Sequence, residues 1–134
     1  MRPSPEICDL VSGYFRSFTA GDPDWVERHV LNGDHLRLIG TNAEEWLDGT
    51  DGFETFRHEA AGATGALTAA LSDVEAFSHG EVGWGAALVR FTLPNGLSTR
   101  ARFSAVVVSI GGTWKVVNSH TSIPVPDEEA FSAD

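Results

Sequence analysis

The sequence predicts an α+β domain, with three helices from its first half packed in a strongly curved antiparallel sheet built from its second. Three observations carry that expectation. Apolar residues recur at helical spacing from Ile7 to Leu31. From Ala66 onward they alternate along runs punctuated by Asn-Gly and Gly-Gly turns. The longest of these runs is apolar on both faces, so the sheet needs a cover on each side. A chain of 134 residues is the usual size of one domain and buries enough surface to fold without a metal or disulfide.

Each element has a local cause. Ser4-Pro5-Glu6 supplies an N-cap followed by proline at the first helical position, where its missing N–H is harmless. Ile7, Leu10, Val11, Tyr14, Phe15 and Phe18 then form one stripe on a helix of about four turns, stopped by Gly21. Asp22-Pro23 opens a second, short helix carrying Trp25, Val26, Val30 and Leu31, which Asn32-Gly33 closes. His35 to Thr41 reads as a short strand, and Asn42 to Gly49 as a loop holding Glu44, Glu45, Trp46 and Asp48. Asp51 and Glu54 form a capping pair for a third helix that buries Phe53, Phe56, Ala60 and Ala61.

Four strands follow, over Leu67 to Phe77, Val82 to Leu93, Leu97 to Ile110 and Trp114 to Ile123, joined in a meander through Pro94-Asn95-Gly96 and Gly111-Gly112. The two middle runs span 82–93 and 97–110. At ~3.3 Å per residue they approach or exceed ~40 Å, too long for a flat sheet in a small domain. Gly83 and Gly85 are the expected bend or bulge positions. On the last strand Trp114 and Val116 are expected to share a side with Asn118 and His120, opposite Val117, Ser119, Thr121 and Ile123. The helices cover one face, and a second copy of the chain is the natural cover for the other, giving a homodimer through the sheet. Residues 1–4 and 127–134 are expected to be loose ends of the single domain 1–134.

Charge and composition exclude whole classes of function. Nine basic against nineteen acidic residues leave a net charge of −10, the wrong sign for nucleic-acid or anionic-membrane binding. A single cysteine, Cys8, rules out an internal disulfide and a cysteine-rich zinc site, and suits a cytoplasmic protein. No run approaches the ~20 apolar residues of a membrane span. His29, His35 and His58 form no metal-ligand spacing, and neither a P-loop nor a dinucleotide fingerprint occurs, so neither metal nor cofactor is expected.

Three segments resemble a known family. Tyr14-Phe15-Arg16-Ser17-Phe18-Thr19-Ala20-Gly21-Asp22 is similar to its first helix and the exit from that helix. The segment from Ile39 to Gly49 resembles an "IGT…EW..G" stretch of one bacterial subgroup, and Trp114 to Ser122 resembles its final strand. In this order and at these spacings the chain resembles a SnoaL-like member of the NTF2-like (ketosteroid isomerase-like) superfamily over nearly its whole length. The resemblance implies a cone-shaped fold with a pocket. It does not imply one function, since the superfamily holds enzymes, binding modules and assembly domains alike.

Against the ketosteroid isomerases, Tyr14 matches the hydrogen-bonding tyrosine of the first helix. The position of the aspartate base falls near Gly40, and that of the acid around Phe103 to Ala105, where no carboxyl exists. SnoaL-type cyclases also use a pocket aspartate, and Val82 to Ile123 contains none. The carboxylate machinery of both is thus missing, and whether the chain is an enzyme stays open.

His120, with an ordinary pKa of ~6.5, and Tyr14 are the catalytic candidates. A structural histidine paired with a backbone carbonyl, and a tyrosine bonded to backbone, are the plainer readings. Glu44, Glu45 and Asp48 become partners only if their loop folds over the pocket mouth. Trp46, Trp84, Phe103 and Ser119 are candidate ligand-binding residues. So is Arg90, which the resemblance to the kinase hub domain places in a pocket, against the plainer reading of a charge paired with an internal Glu or Asp. Arg100 and Arg102 share a face beside it and could form a small basic patch. The leading expectation is a domain binding a small hydrophobic or carboxylate-bearing molecule. The alternatives are an isomerase-, cyclase- or hydratase-type enzyme on a hydrophobic carbonyl compound, or a dimeric assembly module without chemistry.

Overall fold

The computed structural model describes residues 1–131. In chain order it contains β1 (Arg2–Pro3), α1 (Pro5–Arg16), a π-helical turn (Ser17–Gly21), α2 (Pro23–His29), β2 (Arg37–Ile39) and β3 (Trp46–Asp48). There follow α3 (Gly49–Ala61), β4 (Thr68–His79), β5 (Val82–Thr92), β6 (Ser98–Ile110), β7 (Thr113–Ser122) and a single-turn α4 (Asp127–Ala130). The strands form one seven-stranded sheet in the order β1-β4-β5-β6-β7-β2-β3. The sheet is mixed rather than wholly antiparallel, because β2 runs parallel to β7. The expected architecture of helices inside a curved sheet is the one found.

The helix starts behave as their sequences dictate. The Ser4 hydroxyl accepts from the Ile7 N–H at 3.2 Å, and the Asp22 carboxylate accepts from the Trp25 N–H at 3.1 Å, each contact worth about 1 kcal/mol to its helix. Ile7, Leu10, Val11, Tyr14 and Phe15 of α1 join Trp25, Val26, Phe53, Phe56, Val89, Phe103 and Val107 in one buried core on the concave face.

Several elements differ from expectation, each for a physical reason. Helix α1 ends at Arg16 and widens into the π turn, closed by the Asp22 N–H donating to the Ser17 carbonyl at 2.9 Å. Helix α2 ends at His29, because Val30 turns extended and bridges Val116 of β7. Three of the eight residues of the expected loop 42–49 form strand β3, which pairs with β2 as a hairpin, Leu38 facing Leu47. Helix α3 begins at Gly49, before the expected Asp51–Glu54 cap. Residues 1–4 are not loose: Arg2 and Pro3 pair with Ser78 and Phe77 at the sheet edge, and Ser4 is buried. Residues 127–130 form α4, while 132–134 lie outside the described residues.

The bulges also sit elsewhere than at Gly83 and Gly85. One interrupts β4 between Ser72 and Glu75, with Asp73 at a φ of 51°. The other lies opposite Val106 and Val107, whose partners are Asn118 and Val116, leaving Val117 as the extra residue on β7. The two glycines instead let α1 approach the sheet. A Cβ on Gly83 would stand 2.5 Å from Ile7 Cδ1 and 2.8 Å from the Phe77 carbonyl oxygen, and one on Gly85 2.7 Å from Val11 Cγ2.

The bulge at Val117 has the largest effect on the site. Side chains alternate along a strand, so one extra residue reverses every side chain beyond it. Val116 points into the core, but so do Ser119 and Thr121, while Asn118 and His120 face out.

Candidate functional site

A cavity of about 520 Å³ opens at one end of the cone, within the usual range for small-molecule sites. Its mouth lies between the β2–β3 hairpin, the β5–β6 turn, α3 and the start of β4. Tyr14 and Thr121 face it from the interior, Phe18, Phe56 and Phe91 add three more rings, and Leu38, Leu47 and Leu67 add aliphatic wall. The π turn carries Phe18, and such widened turns recur at functional sites.

Tyr14 is the polar centre of this apolar space. Its ring packs 4.8 Å from Phe103 and 5.1 Å from Phe56, centre to centre. Its hydroxyl shares a 3.0 Å hydrogen bond with the Ser119 hydroxyl, either oxygen being able to donate. Burial pushes the phenol up to about 12, against the opposing pull of the Ser119 hydrogen bond and with smaller contributions from Glu45 and Glu59. Tyr14 is therefore a neutral phenol at neutral pH, able to donate or to accept.

The cavity's only two charged lining residues, among those described, are Glu45 and Glu59. Glu45 precedes β3, and its Oε1 accepts from the Asn42 N–H at 3.0 Å, which holds the side chain back over the hairpin. Its Oε2 lies 2.5 Å from where a Gly40 Cβ would be. A carboxylate from the turn of the β2–β3 hairpin thus occupies the space that a side chain on Gly40 would fill. Glu59 rides on α3 one turn after Phe56, at the outer rim. Desolvation raises its pKa, the Glu45 charge raises it further, and His58 opposes both.

The sequence-derived candidates divide sharply. Tyr14 lines the cavity and Ser119 lies directly behind it, at the end of the Tyr14 hydrogen bond. Phe103 is buried beneath the Tyr14 ring and belongs to the core, not the lining. His120 is exposed on the outer face, opposite Ser104 and Ile39, because of the Val117 bulge. Trp46 faces outward as well, 62% exposed, opposite Ile39. Trp84 alternates with Gly83 and Gly85, so it points away from α1 and stacks on Phe77 with ring centres 5.2 Å apart. Arg90 is exposed on that same outer face, opposite Arg100, and donates to the Ser98 hydroxyl at 3.1 Å. Leu88 pairs with Arg102, so the three arginines do form a patch, but outside the cavity. A carboxylate-bearing ligand loses the anchor that Arg90 was expected to give.

Sequence reasoning missed Glu59, Phe18, Phe56 and Phe91 as lining, and weighed Glu45 only as a loop residue. Glu59 carries a faint signal, since it borders the Phe56–Ala60 face of its helix. For Glu45 the signal would have been the hairpin itself, which puts residues on either side of the Gly40–Glu45 turn next to each other.

A conical α+β sheet closed around a helix and hollow at one end defines the NTF2-like class, and solved structures of that class match closely. An NTF2-like protein of unknown function from Pseudomonas putida KT2440 superposes with a TM-score of 0.75 at 16% identity, over 95% of this chain and 90% of that one. A candidate dehydratase of the NTF2-like family from Streptomyces avermitilis gives 0.71 at 12% identity, over 90% and 95% of the two chains. A candidate calcium/calmodulin-dependent protein kinase II association domain from Xanthomonas campestris gives 0.68 at 20% identity, over 91% and 87%. Residues 7–126 match the model of the SnoaL-like domain, and the chain belongs to that family. No curated protein matches it. Among the described residues no helix is long and apolar enough to cross a membrane.

Proposed function

We propose that this SnoaL-like domain binds a small, largely apolar molecule in the cavity, oriented by the Tyr14 hydroxyl. The observation that carries this reading is the open volume of about 520 Å³ around a buried phenol. A cone filled by its own side chains would have left only assembly as a role. The test is titration with the neutral fluorophore N-phenyl-1-naphthylamine. Saturable binding at one probe per chain, abolished by Thr99→Trp at the exposed mouth, is the expected result. Absence of saturable binding, or binding that ignores Thr99→Trp, overturns it.

In the same reading two chains pair through the outer face of the sheet. Val82 is 53%, Leu88 47% and Val106 41% exposed there, flanking Trp84. Apolar residues gathered on one face in this way mark an interface more often than a free surface.

A second reading, an enzyme acting on a small hydrophobic carbonyl compound, is favoured by one observation: the Glu45 carboxylate beside Gly40, in the same cavity as Tyr14. Glu45 would remove a proton from the carbon next to the carbonyl, and Tyr14 would donate a hydrogen bond to the enolate oxygen. Returning the proton to carbon completes an exchange or an isomerisation. In deuterated water the α-protons of 2-tetralone should exchange with wild type and not with Glu45→Gln. Equal exchange by both proteins excludes Glu45 as the base.

A further inference from the structure

The lining of the cavity has a sign as well as a shape. Two carboxylates, Glu45 and Glu59, face it, and among the described residues no lysine, arginine or histidine does. The arginines of the β5–β6 hairpin stand on the opposite face of the sheet, Arg90 across from Arg100 and Arg102 donating to Ser122 at 3.3 Å; Arg90 reaches only the rim, where it donates to the Ser98 hydroxyl at 3.1 Å. Four aromatic rings, Tyr14, Phe18, Phe56 and Phe91, share the apolar enclosure with aliphatic side chains such as Leu38 and Leu47.

From this lining we infer that the natural occupant of the cavity is an amphiphilic cation, an aryl- or alkyl-ammonium compound whose apolar body fills the ring-lined interior and whose charged head lies between Glu45 and Glu59.

The inference rests on the proposed ligand-binding role and adds the ligand's charge. An anion would enter against both carboxylates and against the field of a chain carrying −10. A neutral molecule would leave the repulsion between the two carboxylates in place at the edge of a low-dielectric space. A cation relieves their repulsion, which already adds to the raised pKa of Glu59, and it gains attraction from the faces of phenylalanine and tyrosine rings. The hydrogen bond from Asn42 holds the Glu45 carboxylate in place before a ligand arrives, which lowers the ordering cost of binding.

Three probes of one shape separate the outcomes: 2-naphthylmethylammonium, 2-naphthylmethanol and 2-naphthoate, titrated calorimetrically into wild type, Glu59→Gln and the Glu45→Gln/Glu59→Gln pair. Circular dichroism checks that each variant is folded. In wild type the ammonium should bind about 10-fold tighter than the alcohol, and the carboxylate weaker than either. Glu59→Gln, a change at an exposed rim position, should shrink the ratio of ammonium to alcohol affinity, and the double variant should bring that ratio to about one. Thr99→Trp should block every probe, which distinguishes the cavity from the acidic surface at large. Alcohol binding equal to or tighter than ammonium binding overturns the cationic ligand and leaves the pocket standing. Failure of all three probes to bind overturns the pocket reading and this inference together.

Discussion

Tyr14 is the residue on which the site turns, and it is the only tyrosine in the chain. Its ionisation can therefore be followed by phenolate absorbance without interference from any other tyrosine. The expected midpoint is about 12, set chiefly by burial, rather than the ordinary ~10. Because the folded-state value is the higher one, the stability this group contributes is complete below the ordinary value. It is lost as the pH climbs through the shifted one. Tyr14→Phe should thus resist alkaline unfolding better than wild type in that window, and identical alkaline transitions would contradict the assignment. Glu59 follows the same sign at lower pH. Its raised pKa favours the protonated form in the fold, so stability is lost as pH rises from the ordinary carboxylate range through the raised value. Glu59→Gln should lack that loss, and its advantage in Tm over wild type should grow between pH 4 and pH 7. Tyr14 was legible in the sequence because it lies on an unbroken helical stripe. Glu45 was not, because its place in the cavity depends on a hairpin that local spacing reads as loop.

At the scale of single elements, the decisive features are one extra residue and two missing side chains. The alternation rule placed His120 with Val116, and Val117 reversed it. Nothing in the run Trp114 to Ser122 marks the bulge, since Val116 and Val117 are equally suited to either face. The turns at Asn95-Gly96 and Gly111-Gly112, by contrast, demand glycine conformations, with φ of 87° at Gly96 and of 59° and 83° at the pair, and strand ends near them were readable to within a residue. Gly83 was readable as unusual but not in its role, because the contact it permits comes from α1, far away in sequence. Gly83→Ala should destabilise the protein by about 1–3 kcal/mol, the usual cost of forcing an atom into a packed contact. Urea unfolding measures this, and a neutral effect would show that α1 does not sit against β5 as described. The Phe77 carbonyl is backbone and cannot step aside, so the cost should exceed that of Gly85→Ala, whose nearest contact is a movable side chain.

For the whole molecule, the sequence made the layer order legible, because a run apolar on both faces can only lie between two covers. What it left open was which side chains look into the hollow, since that depends on bulges and on a parallel β2–β7 pairing that joins distant segments. The outer face supplies the test at this scale. Sedimentation equilibrium at micromolar protein should report a dimer for wild type and a monomer for Val106→Glu, with unchanged circular dichroism. A wild-type monomer would leave the Trp84 face without its proposed cover. The hollow itself is reported most directly by its one phenol. With 13Cζ-labelled tyrosine, the single resonance of Tyr14 should shift progressively and saturate as N-phenyl-1-naphthylamine is added, with the same midpoint as the fluorescence titration. A resonance that stays fixed while the probe binds would show that the molecule binds somewhere other than the cavity above Tyr14, and would contradict the proposed site.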